Sequence, residues 1–209
     1  MNEKIIEIKK IKGLAIVQLG NGEKIRVPGA LLRERPVKAG ESIEPVLYRE
    51  YIARRGYPHA IDRAVKLLAM RDHSEGELRD KLYQAGYPDS VIDRVIEKLV
   101  VMDLVDDVSF AEHWAESRAH RHGRRRIEQE LTRKGVDREV ARRAVDNLTD
   151  EDQLQDAIRL VGKFLSRTHG DMDRSLYQRT LAMLARHGYD ADIARKALMS
   201  IARGADEEE

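Results

Sequence analysis

The residues best equipped for chemistry lie between Arg118 and Lys134. Seven cations, Arg118, Arg121, Arg124, Arg125, Arg126, Arg133 and Lys134, stand there against two carboxylates, Glu128 and Glu130. Gly123 interrupts the run, which places three guanidinium groups just after a break between helices. Such groups can grip phosphates or carboxylates through two parallel hydrogen bonds. The same residues could also form a solvated face laced with salt bridges. No aromatic residue is interleaved with them, so stacking of single-stranded bases is not indicated.

Other reactive groupings are weaker. His113, His120 and His122 are spaced by seven and two, whereas helical metal ligands recur at i and i+4, so they read as polar surface residues. Asp103, Asp106 and Asp107 read as a helix stop followed by an Asp cap before Phe110. Gly162-Lys163 is followed by Phe164 and lacks the spaced glycines of a phosphate loop. The chain has no cysteine, which removes thiolate zinc sites, disulfides and Cys nucleophiles. Nothing in the pattern points to an enzyme, a metal or a cofactor.

These residues must be held by elements whose period is mostly helical. Of 209 residues, 42% are hydrophobic and 36% charged, with only two Phe and one Trp. The core must therefore come from Leu, Ile, Val and Ala on amphipathic helices with charged outer faces. Net charge is +1, which does not mark the whole chain as a nucleic-acid binder. No apolar run approaches the ~20 residues of a membrane span, and Met1–Lys12 has no signal-peptide core. The expectation is a cytoplasmic monomer with no membrane partner.

An internal repeat organises the helical part. When Gly86, Gly135 and Gly188 are superimposed, Leu82, Leu131 and Leu184 stand four residues earlier. Tyr87, Val136 and Tyr189 stand one later, and Val91, Val140 and Ile193 five later. Eight residues earlier, Leu78 and Ile127 agree and Thr180 breaks the pattern. Another helix precedes each pair, at 61–70, 109–120 and 153–167. Ser74-Glu75-Gly76-Glu77 fits a capping box, and Gly86 suits a left-handed helix end. Phe110 and Trp114, one turn apart, are expected in the core between repeats, with Tyr57, Tyr87 and Tyr189 packing helix corners.

The N-terminal stretch differs, with short β-branched runs at Ile5–Ile8, Leu14–Leu19 and Lys24–Val27. Asn21-Gly22 suggests a type I′ hairpin turn, and one helical turn is expected near Ala30–Arg33. The chain is expected to be mainly α, three tandem three-helix repeats in an elongated curved array behind a small β-rich module. Its expected divisions are the module at 1–55, repeats at 56–105, 106–149 and 150–204, and a disordered acidic tail at 205–209. The third repeat is expected to have a longer internal loop around His169–Asp173.

Three segments resemble the RecX family. Ala64–Leu82, with Arg71, Ser74-Glu75 and Glu77-Leu78-Arg79, is similar to its first signature. Asp106-Asp-Val-Ser-Phe-Ala-Glu-His-Trp-Ala-Glu-Ser-Arg118 is similar to its Asp-x-x-Phe-Ala…Arg segment. Gly123-Arg-Arg-Arg-Ile-Glu-Gln-Glu-Leu-Thr-Arg-Lys-Gly-Val136 is similar to its glycine, basic, Glu-Leu, Lys-Gly pattern. The resemblance is strongest over residues 60–148. It implies a non-enzymatic modulator of RecA that lies in the groove of the RecA–DNA filament and dampens strand exchange, ATP hydrolysis and filament growth. The family brings no cofactor and no catalytic residues. On this reading the contact residues are Arg71, Arg79, Arg118, Arg124, Arg125, Arg126 and Lys134. Direct binding to single- or double-stranded DNA, as a stand-alone helical module, is the alternative.

Overall fold

The computed structural model describes residues 1–168 and 173–206. Most of the expected long loop (169–172) and the end of the acidic tail (207–209) lie outside the described residues. Two compact units divide the chain between Asp106 and Asp107.

The first unit opens with three antiparallel strands, β1 (Glu3–Ile11), β2 (Leu14–Leu19) and β3 (Lys24–Pro28). A short helix α1 (Gly29–Glu34) follows, then a two-residue strand β4 (Ser42–Ile43) on the free edge of β1, giving the order β3-β2-β1-β4. Strand β2 alternates buried and half-buried residues, and Ala15, Val17 and Leu19 face the core. The type I′ turn falls elsewhere than expected. That turn needs positive φ at both central residues, and Lys12 (φ 35°) and Gly13 (φ 90°) meet this between the paired Ile11 and Leu14. In the β2–β3 connection only Gly22 has positive φ (86°), and its N–H donates to Leu19 O at 3.0 Å. That connection is a turn ending in one left-handed glycine.

Helix α2 (Pro45–Leu68) starts well before the expected helix at 61–70 and runs unbroken through residues 55 and 56. Its buried positions, Pro45, Tyr48, Ile52, Gly56, Ala60 and Ala64, recur every three or four residues on one face. Tyr48 and Ile52 join the sheet's core, whereas Ala60 and Ala64 join that of α3 (Glu75–Gln84) and α4 (Asp89–Val101). One helix therefore serves both cores. Pro58 is tolerated inside it on the exposed side.

The second unit holds two three-helix repeats, α5 (Asp107–Ala119), α6 (Arg124–Arg133) and α7 (Arg138–Asp146), then α8 (Asp150–Leu165), α9 (Arg174–Arg186) and α10 (Ala191–Asp206). Helix α10 runs into the segment expected as tail. Each repeat has its own apolar cluster. Phe110 and Trp114 belong to that of α5–α7, not to a layer between repeats.

The repeat register is a helix-ending motif used three times. Gly86, Gly135 and Gly188 have φ of 94°, 82° and 88°. The amide after each glycine donates to the carbonyl five residues back: Tyr87 to Leu82 (3.2 Å), Val136 to Leu131 (3.2 Å), Tyr189 to Leu184 (3.1 Å). Each glycine N–H bonds three residues back, to Tyr83, Thr132 and Ala185. This is the Schellman motif, which wants an achiral residue at the turn and an apolar contact across it. The Leu/Gly/Tyr-or-Val spacing is its sequence trace. Thr180, which broke the pattern, occupies the same buried position and donates its hydroxyl to Leu176 O at 2.8 Å.

Candidate partner-binding surface

Two of the seven expected contact cations lie in the first unit. Arg71 follows α2, and its guanidinium donates to both oxygens of Glu77 at 3.0 Å. Ser74 caps α3 by accepting from Glu77 N at 3.1 Å. His73 is buried beside this pair, with Nδ1 3.3 Å from Glu77. Burial and the Arg71 charge hold the His73 pKa below the ordinary histidine value, although Glu77 pulls the other way. Arg79 reaches Glu75 (2.8 Å) on its own helix and Asp93 (2.5 Å) on α4.

The other five lie in the second unit, and the fold engages all of them. Arg124 bonds Asp150 at 2.5 Å and the Leu148 carbonyl. Arg125 meets Asp190 at 2.5 Å. Arg126 bonds Glu130 and the Arg186 carbonyl, both at 3.3 Å. Arg118 pairs with Glu130 at 3.5 Å and lies 4.6 Å above the Trp114 ring. Lys134 Nζ lies 4.0 Å from the same ring, so the indole is contacted by two cations. Phe110 stacks beside it at 5.9 Å.

The reason is a seam between the second and third repeats. Gly123, the N-cap of α6, has no side chain to satisfy the first-turn amides. The Arg124 amide instead donates to Gln153 Oε1 of α8 at 3.1 Å. Gly123 N donates to His187 O (2.9 Å) and Arg125 N to Gly188 O (3.2 Å), so the start of α6 lies against the turn that ends α9. A Cβ on Gly123 would stand 2.3 Å from Gly188 O. Sequence reasoning missed Gln153 and Asp156, both buried on α8. Their signal was two polar residues at the phase of the apolar face that includes Ala157 and Val161.

Of two open grooves, one borders Arg124 and Arg125 and the other is lined by none of the seven cations. The first, of about 610 Å3, is lined by four arginines and by five carboxylates, Glu128 and Asp190 among them. The other, about 480 Å3 in the first unit, lies by Arg26, Ile52, Tyr83 and Tyr87, with the Arg26 guanidinium 4.5 Å above the Tyr83 ring. Among the described residues, no group of three or more His, Cys, Asp or Glu could hold a metal. No helix among them is long and apolar enough to cross a membrane.

Fold and surface together define a tandem helical-repeat protein with a small strand module, presenting ion-paired arginines beside open grooves. Models of the first, second and third three-helix domains of RecX match residues 60–99, 106–145 and 150–198. The chain belongs to the RecX family. The regulatory protein RecX of Thermobifida fusca is 35% identical over 140 residues, covering 66% of this chain and 76% of that one. That of Mycolicibacterium smegmatis is 38% identical over 137 residues, covering 62% and 72%. That of Listeria welshimeri is 32% identical over 139 residues, and the match spans only 52% of its length. The fold is shared with a crystal structure of regulatory protein RecX (TM-score 0.64, 21% identity, 92% of this chain and 97% of that one). It is also shared with RecX from Lactobacillus salivarius (TM-score 0.65, 24% identity, 70% and 96%). These relatives are named as regulatory proteins.

Proposed function

We propose that this chain binds the RecA–single-stranded DNA filament and inhibits its recombinase, ATPase and coprotease activities, within control of DNA repair and the SOS response. The reading makes it a cytoplasmic, monomeric, non-enzymatic protein without a cofactor. The observation that carries it is the family membership, with matches to all three RecX three-helix domains in order.

Arg71, Arg79, Arg118, Arg124, Arg125, Arg126 and Lys134 are the proposed contacts, and the geometry ranks them. The Arg125 side chain is 68% exposed and held by one carboxylate, while Arg124 is 23% exposed and bound into the seam. Exposed ion pairs are worth only ~0–1 kcal/mol, so an acidic partner surface can displace Asp190 from Arg125 at little expense. Several such exchanges spread over the first two repeats (residues 56–105 and 106–149) would add through avidity.

The test is RecA's DNA-dependent ATPase and filament disassembly with the purified protein, over a salt series. Inhibition that weakens with salt, and is reduced by Arg125→Ala, is expected. An unaffected ATPase with intact filaments would overturn the proposal. Tight binding to single-stranded or duplex DNA at physiological salt without RecA would favour the stand-alone DNA-binding module instead.

A further inference from the structure

A pocket of about 290 Å3 opens in the second unit, where the end of α5, helix α8 and the α9–α10 turn meet. Its lining combines unspent positive charge with unsatisfied polar atoms. Arg121 and Lys163 border it, and neither has an ion-pair partner among the described residues, unlike Arg124, Arg125 and Arg126. Asp156 is the one carboxylate in the lining. It is 4% exposed and already held by His120 at 3.3 Å and Arg159 at 3.0 Å. Histidines aside, three cations (Arg121, Arg159 and Lys163) face one anion.

Two lining residues carry buried polar atoms without hydrogen-bond partners among the described residues: the Tyr189 hydroxyl and His122 Nδ1. Tyr189 is 3% exposed, and burial pushes its pKa up to about 12, so its hydroxyl keeps its proton and remains a donor. His122 stacks on His187 at 5.8 Å, and His187 Nδ1 lies 3.4 Å from the Arg121 carbonyl. A buried donor without an acceptor is destabilising unless something supplies one.

We propose that this pocket binds a phosphate group, with Arg121 and Lys163 as its counter-charges and the Tyr189 hydroxyl as a buried donor. Donors converging from separate elements suit an anion carrying several acceptor oxygens and up to two charges, and two is the excess positive charge here. The pocket is distinct from the seven cations above and needs no RecA. The phosphate can come from a nucleic-acid backbone or be free.

The test titrates inorganic phosphate into the full chain at constant ionic strength and follows the imidazole 15N resonances of His120, His122 and His187. Saturable shifts are expected, with chloride producing none. Arg121→Ala/Lys163→Ala should weaken binding by about tenfold or more, the value of a lost charge-assisted hydrogen bond. Tyr189→Phe, which keeps the ring, should weaken it severalfold. A linear response, or one unchanged in the double variant, overturns the proposal. A thymidine oligonucleotide that competes with phosphate identifies a backbone source, and phosphate binding without such competition identifies a free one. Absence of shifts with either ligand also overturns it.

Discussion

Replacing Gly123 with alanine adds one methyl group at a residue whose backbone, φ −73° and ψ 161°, suits alanine as well as glycine. The backbone therefore contributes little. Alanine's stiffer unfolded chain stabilises by roughly 0.4–1 kcal/mol, and its poorer N-cap behaviour destabilises by a similar amount. What remains is steric. The new Cβ would lie 2.3 Å from Gly188 O and 2.4 Å from both Gly188 C and Tyr189 N. These are backbone atoms that cannot swing aside, whereas carbon contacts settle near ~3.5–4 Å. The seam must open, straining the Gly123–His187 (2.9 Å) and Arg125–Gly188 (3.2 Å) hydrogen bonds. Overpacking at ~1–3 kcal/mol and two hydrogen bonds at about 1 kcal/mol each, partly overlapping, give ~2–4 kcal/mol. Urea unfolding read by Trp114, the only tryptophan and a residue of this unit, measures the loss directly. Thermal unfolding should drop by about 10 °C or more. Gly135→Ala is the control: the site is exposed with φ 82°, so only the left-handed backbone term of ~1–2 kcal/mol applies. Gly123→Ala unfolding within about 0.5 kcal/mol of the parent would refute the seam.

The Arg124→Ala/Arg125→Ala/Arg126→Ala triple variant should lose stability as well as charge, because these side chains hold Asp150, Leu148, Asp190, Glu130 and Arg186. Arg125→Ala alone should shift stability by less than ~1 kcal/mol by denaturant titration, making it the cleaner probe of partner binding. Lys134→Ala removes the ammonium 4.0 Å from Trp114, so acrylamide quenching of tryptophan emission should rise; unchanged quenching would show that the lysine does not shield the ring. His73 has a lowered pKa in the fold, so the unfolded chain binds its proton more readily. Its stabilising contribution is complete above the ordinary histidine pKa and declines as pH falls through that value toward the folded pKa. His73→Gln should flatten this part of the stability–pH curve, and an unaltered slope would count against the burial argument.

The three-repeat pattern was legible because its cause is local. A Schellman turn requires a glycine, a leucine four residues before it and an apolar residue after it, and all of that sits within six positions. The strands and α1 were legible from the same short-range chemistry. Local signals failed where two candidates competed: Asn21-Gly22 carried the better turn letters, but Lys12-Gly13 joins the strands in the register that needs type I′. Helix α2 was read too short because its buried face uses Gly56, Ala60 and Ala64 and its interior contains Pro58.

The basic run was equally plain in the sequence, and its composition alone left two readings open, a free binding surface or a salt-bridged one. Tertiary structure decided how each charge is used. The partners of Arg124, Arg125 and Arg126 include residues 24 to 65 positions further along the chain, beyond the reach of any helical spacing rule. Gln153 acts as a cap only because α8 folds back beside Gly123, and Arg121 remains uncommitted because no carboxylate reaches it among the described residues. Sequence thus determined the repeat register and the glycine turns that end α3, α6 and α9, since those rest on neighbours along the chain. Only the packing of one repeat on the next determined which cations hold the fold together and which are left for a ligand.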